Sequence, residues 1–148
     1  MIKKYRKGVF IVTYALDKNN SPVYLILKRK LHWSGYEFPK GGKRFLESNL
    51  HTVKRELREE ASLIPITIHN HKIHGKYKYK QELADREGVI GQTYTLYSAQ
   101  VKQEKVKLDE REHLSYEWLP FEKAHYRLTY QNQKDCLKMV NVWVKQRY

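Results

Sequence analysis

Three features are missing from this sequence: a second cysteine, a long apolar run and an export signal. The single cysteine, Cys136, cannot form an internal disulfide, which suits a reducing compartment. The stretch VFIVTYAL, residues 9–16, is shorter than the roughly 18 apolar residues that a membrane-spanning helix needs. The basic opening MIKKYRKG leads to no apolar segment with a small-residue cleavage site. We therefore expect a cytoplasmic protein without membrane association, in which Cys136 packs on a helix face.

Acidic residues are scarce, because 16 aspartates and glutamates stand against 29 lysines and arginines, a formal net charge of +13. Such a field attracts polyanions, for example polyphosphates, RNA or inositol phosphates. A basic surface that only aids solubility is the alternative, and charge alone does not decide between the two. Where acids are this rare, a cluster of them calls for an explanation.

The length of 148 residues fits one domain with its own hydrophobic core. No repeat, low-complexity tract or long linker divides the sequence, so we predict a single domain over residues 1–148. Runs rich in β-branched and aromatic residues predict strands over residues 9–16, 23–30, 64–80, 93–102 and 116–119. Apolar periodicity predicts helices over residues 46–61 and 129–146. Strands followed by helices on both sides predict an α/β fold, an α/β/α sandwich around a mixed β-sheet.

The first predicted helix carries an acidic sector beside its apolar stripe. The stripe follows helical spacing and consists of Leu46, Leu50, Val53 and Leu57. Residues three and four apart share a helix face, so Glu56, Glu59 and Glu60 project together, at a repulsive cost of about a few tenths of a kcal/mol per pair. The helix alone favours a solvated acidic face. A divalent cation held by these hard carboxylate oxygens is the alternative.

A glycine turn upstream of the helix changes this balance. Gly41 and Gly42 permit positive φ angles and a close approach of the backbone to a ligand. Lys40 and Lys43 supply positive charge beside them, and a backbone carbonyl exposed at such a turn adds another hard oxygen ligand. The turn and the helix together therefore favour the cation site.

The spacing of these residues resembles the signature of the Nudix hydrolases. The matched positions are Gly41, Glu47, Arg55, Glu56, Leu57, Glu59 and Glu60. A match at such fixed spacing arises by chance on the order of once in a million chains. The box, residues 41–63, departs from the signature at Ser62, where the family has a glycine. Serine takes the left-handed conformation of a helix-capping glycine at a cost of about 1 kcal/mol, so we keep the catalytic interpretation.

The resemblance implies a Nudix fold and a hydrolase that depends on Mg²⁺ or Mn²⁺. The implied metal ligands are Glu56, Glu59, Glu60 and the backbone carbonyl of Lys40. Glu47 and Arg55 resemble the pair that orients these ligands. The implied chemistry is metal-assisted attack of water on phosphorus, with Glu56 and Glu59 as catalytic residues. The group that takes the proton varies across the family, and Glu56 is one candidate.

A second stretch is similar to the diadenosine tetraphosphate hydrolase branch of the family. This stretch is DEREHLSYEWLPFEKA, residues 109–124, and it implies that Glu112 lies near the metals as a ligand or a catalytic base. A surface-loop acid is the alternative for Glu112. Trp118 and Leu119 are expected in the core. The segments FPKG and LTY, residues 38–41 and 128–130, resemble the same branch.

Candidates for substrate binding come from HGKYKYKQ, residues 74–81. In a strand, Tyr77 and Tyr79 share one face, where they would stack a nucleobase, and the lysines, including Lys76, share the other. An ordinary half-buried strand with a solvated basic side is the alternative, and the pattern alone favours it. Arg29 and Lys43 are further candidates for binding phosphates.

A cluster of histidines, His69, His71 and His74, resembles a metal site by its density only. Alternation along a strand explains their spacing without a transition metal.

Three kinds of function remain open at this point: hydrolysis of a nucleotide, hydrolysis of another polyanion, and RNA binding without catalysis. The favoured one is cleavage of a pyrophosphate bond in dinucleoside or nucleoside polyphosphates such as diadenosine tetraphosphate. A +13 chain equally suits the 5′ end of RNA, as in pyrophosphohydrolase or decapping enzymes, or a diphosphoinositol polyphosphate. A non-catalytic module that binds RNA is the third, although such modules typically lose the box glutamates, which are present here.

Overall fold

The computed structural model describes residues 3–81 and 83–148, which contain seven strands and three helices. The strands are β1 (Lys4–Leu16), β2 (Pro22–Arg29), β3 (Gly35–Glu37), β4 (Lys40–Gly42), β5 (Thr67–Lys78), β6 (Val89–Gln100) and β7 (His113–Pro120). The helices are α1 (Asn49–Ala61), α2 (Phe121–Arg127) and α3 (Gln131–Arg147). In the part of the chain that the structure describes, none of these helices is long and apolar enough to cross a membrane.

All seven strands form one mixed sheet. Its main path runs β3-β2-β1-β6-β5, while β4 pairs with β1 and β7 pairs with β2. The long β1–β6 pairing is parallel and the others are antiparallel. β1 is buried without interruption from Gly8 to Ala15, as expected for a strand covered on both faces. The predicted mixed sheet is therefore confirmed.

Helices cover both faces of the sheet, which confirms the α/β/α sandwich. On one face α1 packs Val53 and Leu57 against β1 and β6. On the other face α2 and α3 bury their apolar sides against β1, β2 and β6, in a cluster that includes Cys136. The cysteine thus packs in the core as predicted. Leu119 is in this core as well. Trp118 is partly buried and packs against a separate apolar cluster that includes Leu25 and Leu27.

The first helix begins later than predicted. Ser48 is its N-cap and accepts a hydrogen bond from the backbone N–H of His51, so the helix starts at Asn49 rather than at residue 46. Leu46 lies in the preceding turn with φ 62° and is 88% exposed, and Leu50 is 48% exposed. The predicted apolar stripe was therefore wrong in its first half, because the cap and not the hydrophobic spacing sets the start of the helix.

Other boundaries differ from the predictions as well. β1 begins at Lys4, β7 begins at His113, and the helix α2 follows Pro120 where no helix was predicted. Hydrophobic periodicity did not predict α2, because Ala124 is the single buried residue of this helix.

Two of the three histidines are neighbours, because the rings of His69 and His71 meet edge to face with their centroids 4.6 Å apart. His69 stacks on the Trp143 ring at 4.3 Å between centroids, and His71 meets the same ring edge-on at 5.1 Å. His74 lies beyond a register shift in β5 and is 3.1 Å from the Thr95 hydroxyl.

Candidate active site

The prediction of a glycine turn was wrong, because Lys40–Gly42 form the short strand β4, which pairs antiparallel with β1, and neither Gly41 nor Gly42 has a positive φ. Pro39 and Lys43 make backbone hydrogen bonds to β1, through Ile11 N–H to Pro39 O and Lys43 N–H to Lys7 O. Backbone groups alternate in direction along such a strand, so the carbonyl of Lys40 points away from β1. The Gly42 carbonyl points the same way and accepts a hydrogen bond of 2.8 Å from Arg55. The Lys40 carbonyl is thus turned away from β1, in the same direction as the Gly42 carbonyl that Arg55 of α1 binds, and its role as a metal ligand stays a prediction.

Gly41 lets the side chain of Glu56 approach the strand. A Cβ atom built at Gly41 would lie 2.1 Å from the carboxylate carbon of Glu56, which no real side chain tolerates. The absence of a side chain at this position therefore brings β4 and the acidic face of α1 together.

Arg55 connects the residues of the box. Its Nε and Nη2 atoms donate to the two carboxylate oxygens of Glu47 at 2.7 and 2.9 Å. Its Nη1 atom donates to Glu56 at 2.7 Å and to Glu59 at 3.1 Å. Hydrogen bonds from Arg55 hold the pKa of Glu47 well below its usual range. Arg55 thus connects Glu47 to Glu56 and Glu59, and the orienting role of the pair stays a prediction.

Glu56 and Glu60 lie close together in a buried position. They are 8% and 2% exposed, and burial is the main cause that raises the pKa of each. The negative charges of Glu56, Glu37 and Glu112 raise the pKa of Glu60 further. The Oε2 atom of Glu60 is buried with no hydrogen-bond partner in the described part of the chain. A buried, unpartnered carboxylate oxygen among other acids is what a bound cation would satisfy.

Glu112 and His113 complete this cluster. One potential ligand atom each of Glu60, Glu112 and His113 lies within 4.8 Å of the others. Backbone hydrogen bonds from Asp109 N–H to Glu60 O, at 3.4 Å, and from Lys30 N–H to Glu112 O, at 2.9 Å, fix the loop before β7 against α1 and β2. The sequence signal from residues 109–124 thus led to a residue that the structure places beside the box.

Glu59 occupies a different position from the other two box glutamates. Its oxygens accept hydrogen bonds of 3.1 Å from Arg44 and from Arg55, and its side chain is 42% exposed. In this conformation Glu59 faces two arginines rather than Glu60. Its role as a metal ligand stays a prediction.

Glu37 is a site residue that the sequence interpretation missed. Its side chain is fully buried, and its Oε2 atom accepts hydrogen bonds from Arg29 at 3.1 Å and from His113 at 2.8 Å. The Lys40 ammonium lies 3.7 Å from its other oxygen. Burial alone would raise the pKa of Glu37, but Lys40, His113 and Arg29 lower it to about 2. No local pattern marks this acid, because its partners come from β2, β4 and β7.

The predicted substrate-binding residues divide between two cavities. A cleft of about 520 Å³ is lined by Arg29, Tyr77, Tyr79, Lys40 and, from elsewhere in the chain, Trp33, Arg86 and Tyr130. A groove of about 470 Å³ is lined by Lys43 and Lys76. Neighbouring side chains of a strand point to opposite faces, so the side chains of Lys76 and Tyr77 lie on opposite sides of the sheet. The cleft is on the α3 side, since Tyr77 packs with the core beneath that helix.

Trp33 and Tyr130 form an aromatic pair in the cleft that sequence reasoning did not single out. Their rings meet edge to face at 4.9 Å between centroids. Tyr77 and Tyr79 meet in the same manner at 6.1 Å. Trp33 precedes β3 and Tyr130 precedes α3, so only the tertiary fold brings them together.

Comparison with protein families identifies a relationship over almost the whole chain. A family model described as a NUDIX domain matches residues 4–139. No curated protein sequence matches the chain.

Solved structures share the fold at low sequence identity. The dihydroneopterin triphosphate pyrophosphohydrolase of E. coli superposes with a TM-score of 0.77 at 18% identity, over 96% of this chain and 99% of that one. An Ap4A hydrolase of C. elegans in a binary complex gives 0.75 at 20% identity, over 95% and 98% of the two chains. The NUDIX domain of Shewanella oneidensis NrtR, complexed with ADP ribose, gives 0.77 at 15% identity, over 97% and 90%. At these identities the similarity shows a common fold.

Proposed function

The chain belongs to the NUDIX domain family, and on that premise we propose that it hydrolyses a pyrophosphate bond in a nucleoside or dinucleoside polyphosphate. Diadenosine tetraphosphate is the proposed substrate, and Mg²⁺ or Mn²⁺ is the proposed cofactor. Two observations support this choice. Parts of the sequence resemble the diadenosine tetraphosphate hydrolase branch, and the fold is shared with the C. elegans Ap4A hydrolase.

The observation that carries the proposal is the connection between the acidic cluster and the aromatic cleft. Lys40 contributes its side chain to the cleft, and its carbonyl points away from β1, in the same direction as the Gly42 carbonyl that Arg55 of α1 binds. Arg29 also lines the cleft, and it shares the carboxylate of Glu37 with His113 of the acidic cluster. A molecule that places its base in the cleft therefore has its phosphates near the acids.

The residues that would hold the cations are Glu56, Glu60, Glu112 and the carbonyl of Lys40. Glu59, the remaining candidate, accepts hydrogen bonds from Arg44 and Arg55. A bound divalent cation supplies neutralisation of phosphate charge and polarisation of the attacking water. Glu47 and Arg55 fix the orientation of Glu56. Glu112, which lies beside Glu60 and is only partly buried, would accept a proton from water.

The cleft suits a nucleoside in size and in surface. Its volume of about 520 Å³ falls in the range of small-molecule sites, roughly 300 to 1,000 Å³. Aromatic faces from Tyr77, Trp33 and Tyr130 offer stacking partners for a base, and stacking is worth about 1 to 3 kcal/mol per base. Lys40, Arg29 and Arg86 provide positive charge in the same cleft.

The 5′ end of RNA is a second candidate substrate. The basic groove on the α1 side is lined by Lys7, Lys43 and Lys76, and no ion pair joins these lysines to a carboxylate in the described residues. A phosphodiester chain is an anion that such a surface attracts. This observation supports an RNA substrate without excluding a small nucleotide.

A substrate panel tests the proposal. The purified protein is incubated with diadenosine tetraphosphate, a diphosphoinositol polyphosphate, a nucleoside triphosphate and 5′-triphosphorylated RNA, each with Mg²⁺ and with EDTA. We expect fastest cleavage of the dinucleotide, none in EDTA, and a loss of orders of magnitude in Glu56→Gln. Fastest cleavage of RNA would favour the second candidate, and no cleavage of any substrate by folded protein would overturn the enzymatic proposal.

A further inference from the structure

Arg86 of the cleft and Arg6 of β1 both lie beside the side chain of Tyr79. Arg86 donates a hydrogen bond of 3.0 Å from its Nη1 atom to this oxygen, and its guanidinium carbon is 5.7 Å from the centre of the Tyr79 ring. Arg6 lies close enough to interact electrostatically with both Tyr79 and Arg86. Two cationic groups thus lie beside Tyr79, at one edge of the cleft that Tyr79 lines together with Arg86.

Arg6 reaches this position by lying flat on the backbone of β4. A Cβ atom built at Gly42 would be 2.1 Å from the guanidinium carbon of Arg6, so the glycine leaves the space that the guanidinium fills. Gly42 follows Gly41, the residue in contact with Glu56. Arg6 is thus separated from the acidic box by the width of a single extended strand.

Among the described residues, no carboxylate lies within ion-pair distance of Arg6 or Arg86. Ion pairs in the described residues engage Arg29, Arg44, Arg55 and Arg127, and none engages Arg6 or Arg86. Burial and then the charge of Arg86 lower the pKa of Arg6, while Tyr79 and Glu56 act in the opposite direction. Like charges that a fold holds together without a counter-ion create a strong local attraction for an anion.

We propose that Arg6 and Arg86, which both lie beside Tyr79, bind a phosphate group of the substrate at a point beyond the metal cluster. Guanidinium groups match phosphate oxygens in geometry and donate several hydrogen bonds at once. A polyphosphate held at the acidic box would pass Gly41 and Gly42 to reach this pair. The site therefore selects substrates with three or more linked phosphates over those with two, an inference that rests on the proposed polyphosphate hydrolase function.

Binding of inorganic tripolyphosphate to the full-length protein in EDTA, measured by titration calorimetry, tests the site without catalysis. The variants are Arg6→Gln and Arg86→Gln. The control is Lys138→Gln, which removes one positive charge from the exposed side of α3. We expect each arginine variant to bind about tenfold more weakly or worse, because a charge-assisted hydrogen bond is lost. The control is expected to bind as the wild type does.

Steady-state kinetics with diadenosine tetraphosphate and diadenosine diphosphate form the second arm. The arginine variants should raise KM for the tetraphosphate several-fold more than for the diphosphate, with little change in kcat. A purely structural role for Arg6 would instead reduce activity on both substrates alike and lower Tm. Circular dichroism confirms folding, and Arg86→Gln changes only a loop residue.

The outcomes separate this inference from the proposed function. Unchanged tripolyphosphate binding in both arginine variants, or an equal loss in the lysine control, overturns the inference even if hydrolysis is present. Arginine-dependent binding in a protein that cleaves none of the polyphosphates overturns the proposed function and leaves the anion site standing.

Discussion

Arg55 and Glu47 form a two-pronged ion pair in which both carboxylate oxygens of the acid are bound, at 2.7 and 2.9 Å. Both side chains are almost fully buried, at 4% and 7% exposure. The same guanidinium also holds the Gly42 carbonyl, so the pair joins the loop before α1, the helix itself and β4.

Arg55→Lys is expected to lower the free energy of unfolding by about 3 kcal/mol, because lysine cannot replace the fork and leaves Glu47 buried without its partner. Urea unfolding of the metal-free protein measures this loss. The control is Arg44→Lys, whose side chain is 64% exposed and whose pair with Glu59 should be worth less than about 1 kcal/mol. Equal losses in the two variants would contradict the role assigned to Arg55.

We expect Glu37 to add to the free energy of unfolding by an amount that decreases at acidic pH. Its pKa is lowered from 4.5 to about 2, so the folded state favours the ionised form. The stabilisation is present above pH 4.5 and is lost as pH falls from there through about 2, a contribution of about 3 kcal/mol. Glu37→Gln removes it.

Unfolding free energies between pH 2.5 and 7, measured in EDTA, check this expectation. The gap between wild type and Glu37→Gln should be widest above about pH 5 and should narrow on acidification. Glu110→Gln, an exposed acid in the loop before β7, is the control and should show no such pH-dependent gap. A gap independent of pH would mean that Glu37 acts by packing alone.

We expect replacement of Tyr77 to weaken substrate binding. If its ring stacks a base, Tyr77→Ala should raise KM for diadenosine tetraphosphate by about tenfold, in line with the energy of a base–aromatic contact. Tyr77→Phe keeps the ring and its packing beside Phe10, and it should leave KM near the wild-type value. An unaltered KM in the alanine variant would leave Tyr77 as an ordinary half-buried strand residue.

We expect replacement of Glu60 to change the Tm in opposite ways with and without a divalent metal. Its buried charge is opposed by Glu56, Glu37 and Glu112, so Glu60→Gln should raise Tm in EDTA by about 2 to 4 °C, for roughly 1 kcal/mol gained. Ligand binding to the folded state stabilises it, so Mn²⁺ should raise Tm of the wild type. The variant should lose most of that Mn²⁺-induced rise and should lose turnover by orders of magnitude. A full Mn²⁺ response in the variant would exclude Glu60 as a ligand.

The parts of the site that sequence predicted are those encoded by local spacing. Glu56 and Glu60 are neighbours because helix geometry makes residues four apart neighbours, and this holds whatever surrounds the helix. Ser62 likewise follows a local rule: it caps α1 in the left-handed conformation at φ 56°, with its N–H bonded to Arg58 O. The expectation that serine can occupy the glycine position of the signature is therefore confirmed.

The parts that sequence did not predict depend on contacts between distant segments. Glu37 reads as one polar residue in a short strand, and its burial follows only from Arg29, Lys40 and His113. Leu46 has the spacing of a core residue but lies outside the helix, because Ser48 is the N-cap and the helix begins only at Asn49. Arg6 and Arg86 are far apart in the sequence, and both lie beside Tyr79.

The central claim is that the acidic residues beside β4 hold divalent cations against a phosphoanhydride. Anomalous diffraction from crystals soaked in Mn²⁺ and a non-hydrolysable diadenosine tetraphosphate analogue measures this directly. We predict manganese peaks at about 2.2 Å, an ordinary metal–oxygen distance, from the carboxylates of Glu56 and Glu60 and the Lys40 carbonyl. Peaks only at other places, or a bound analogue with no metal beside these oxygens, would contradict the account.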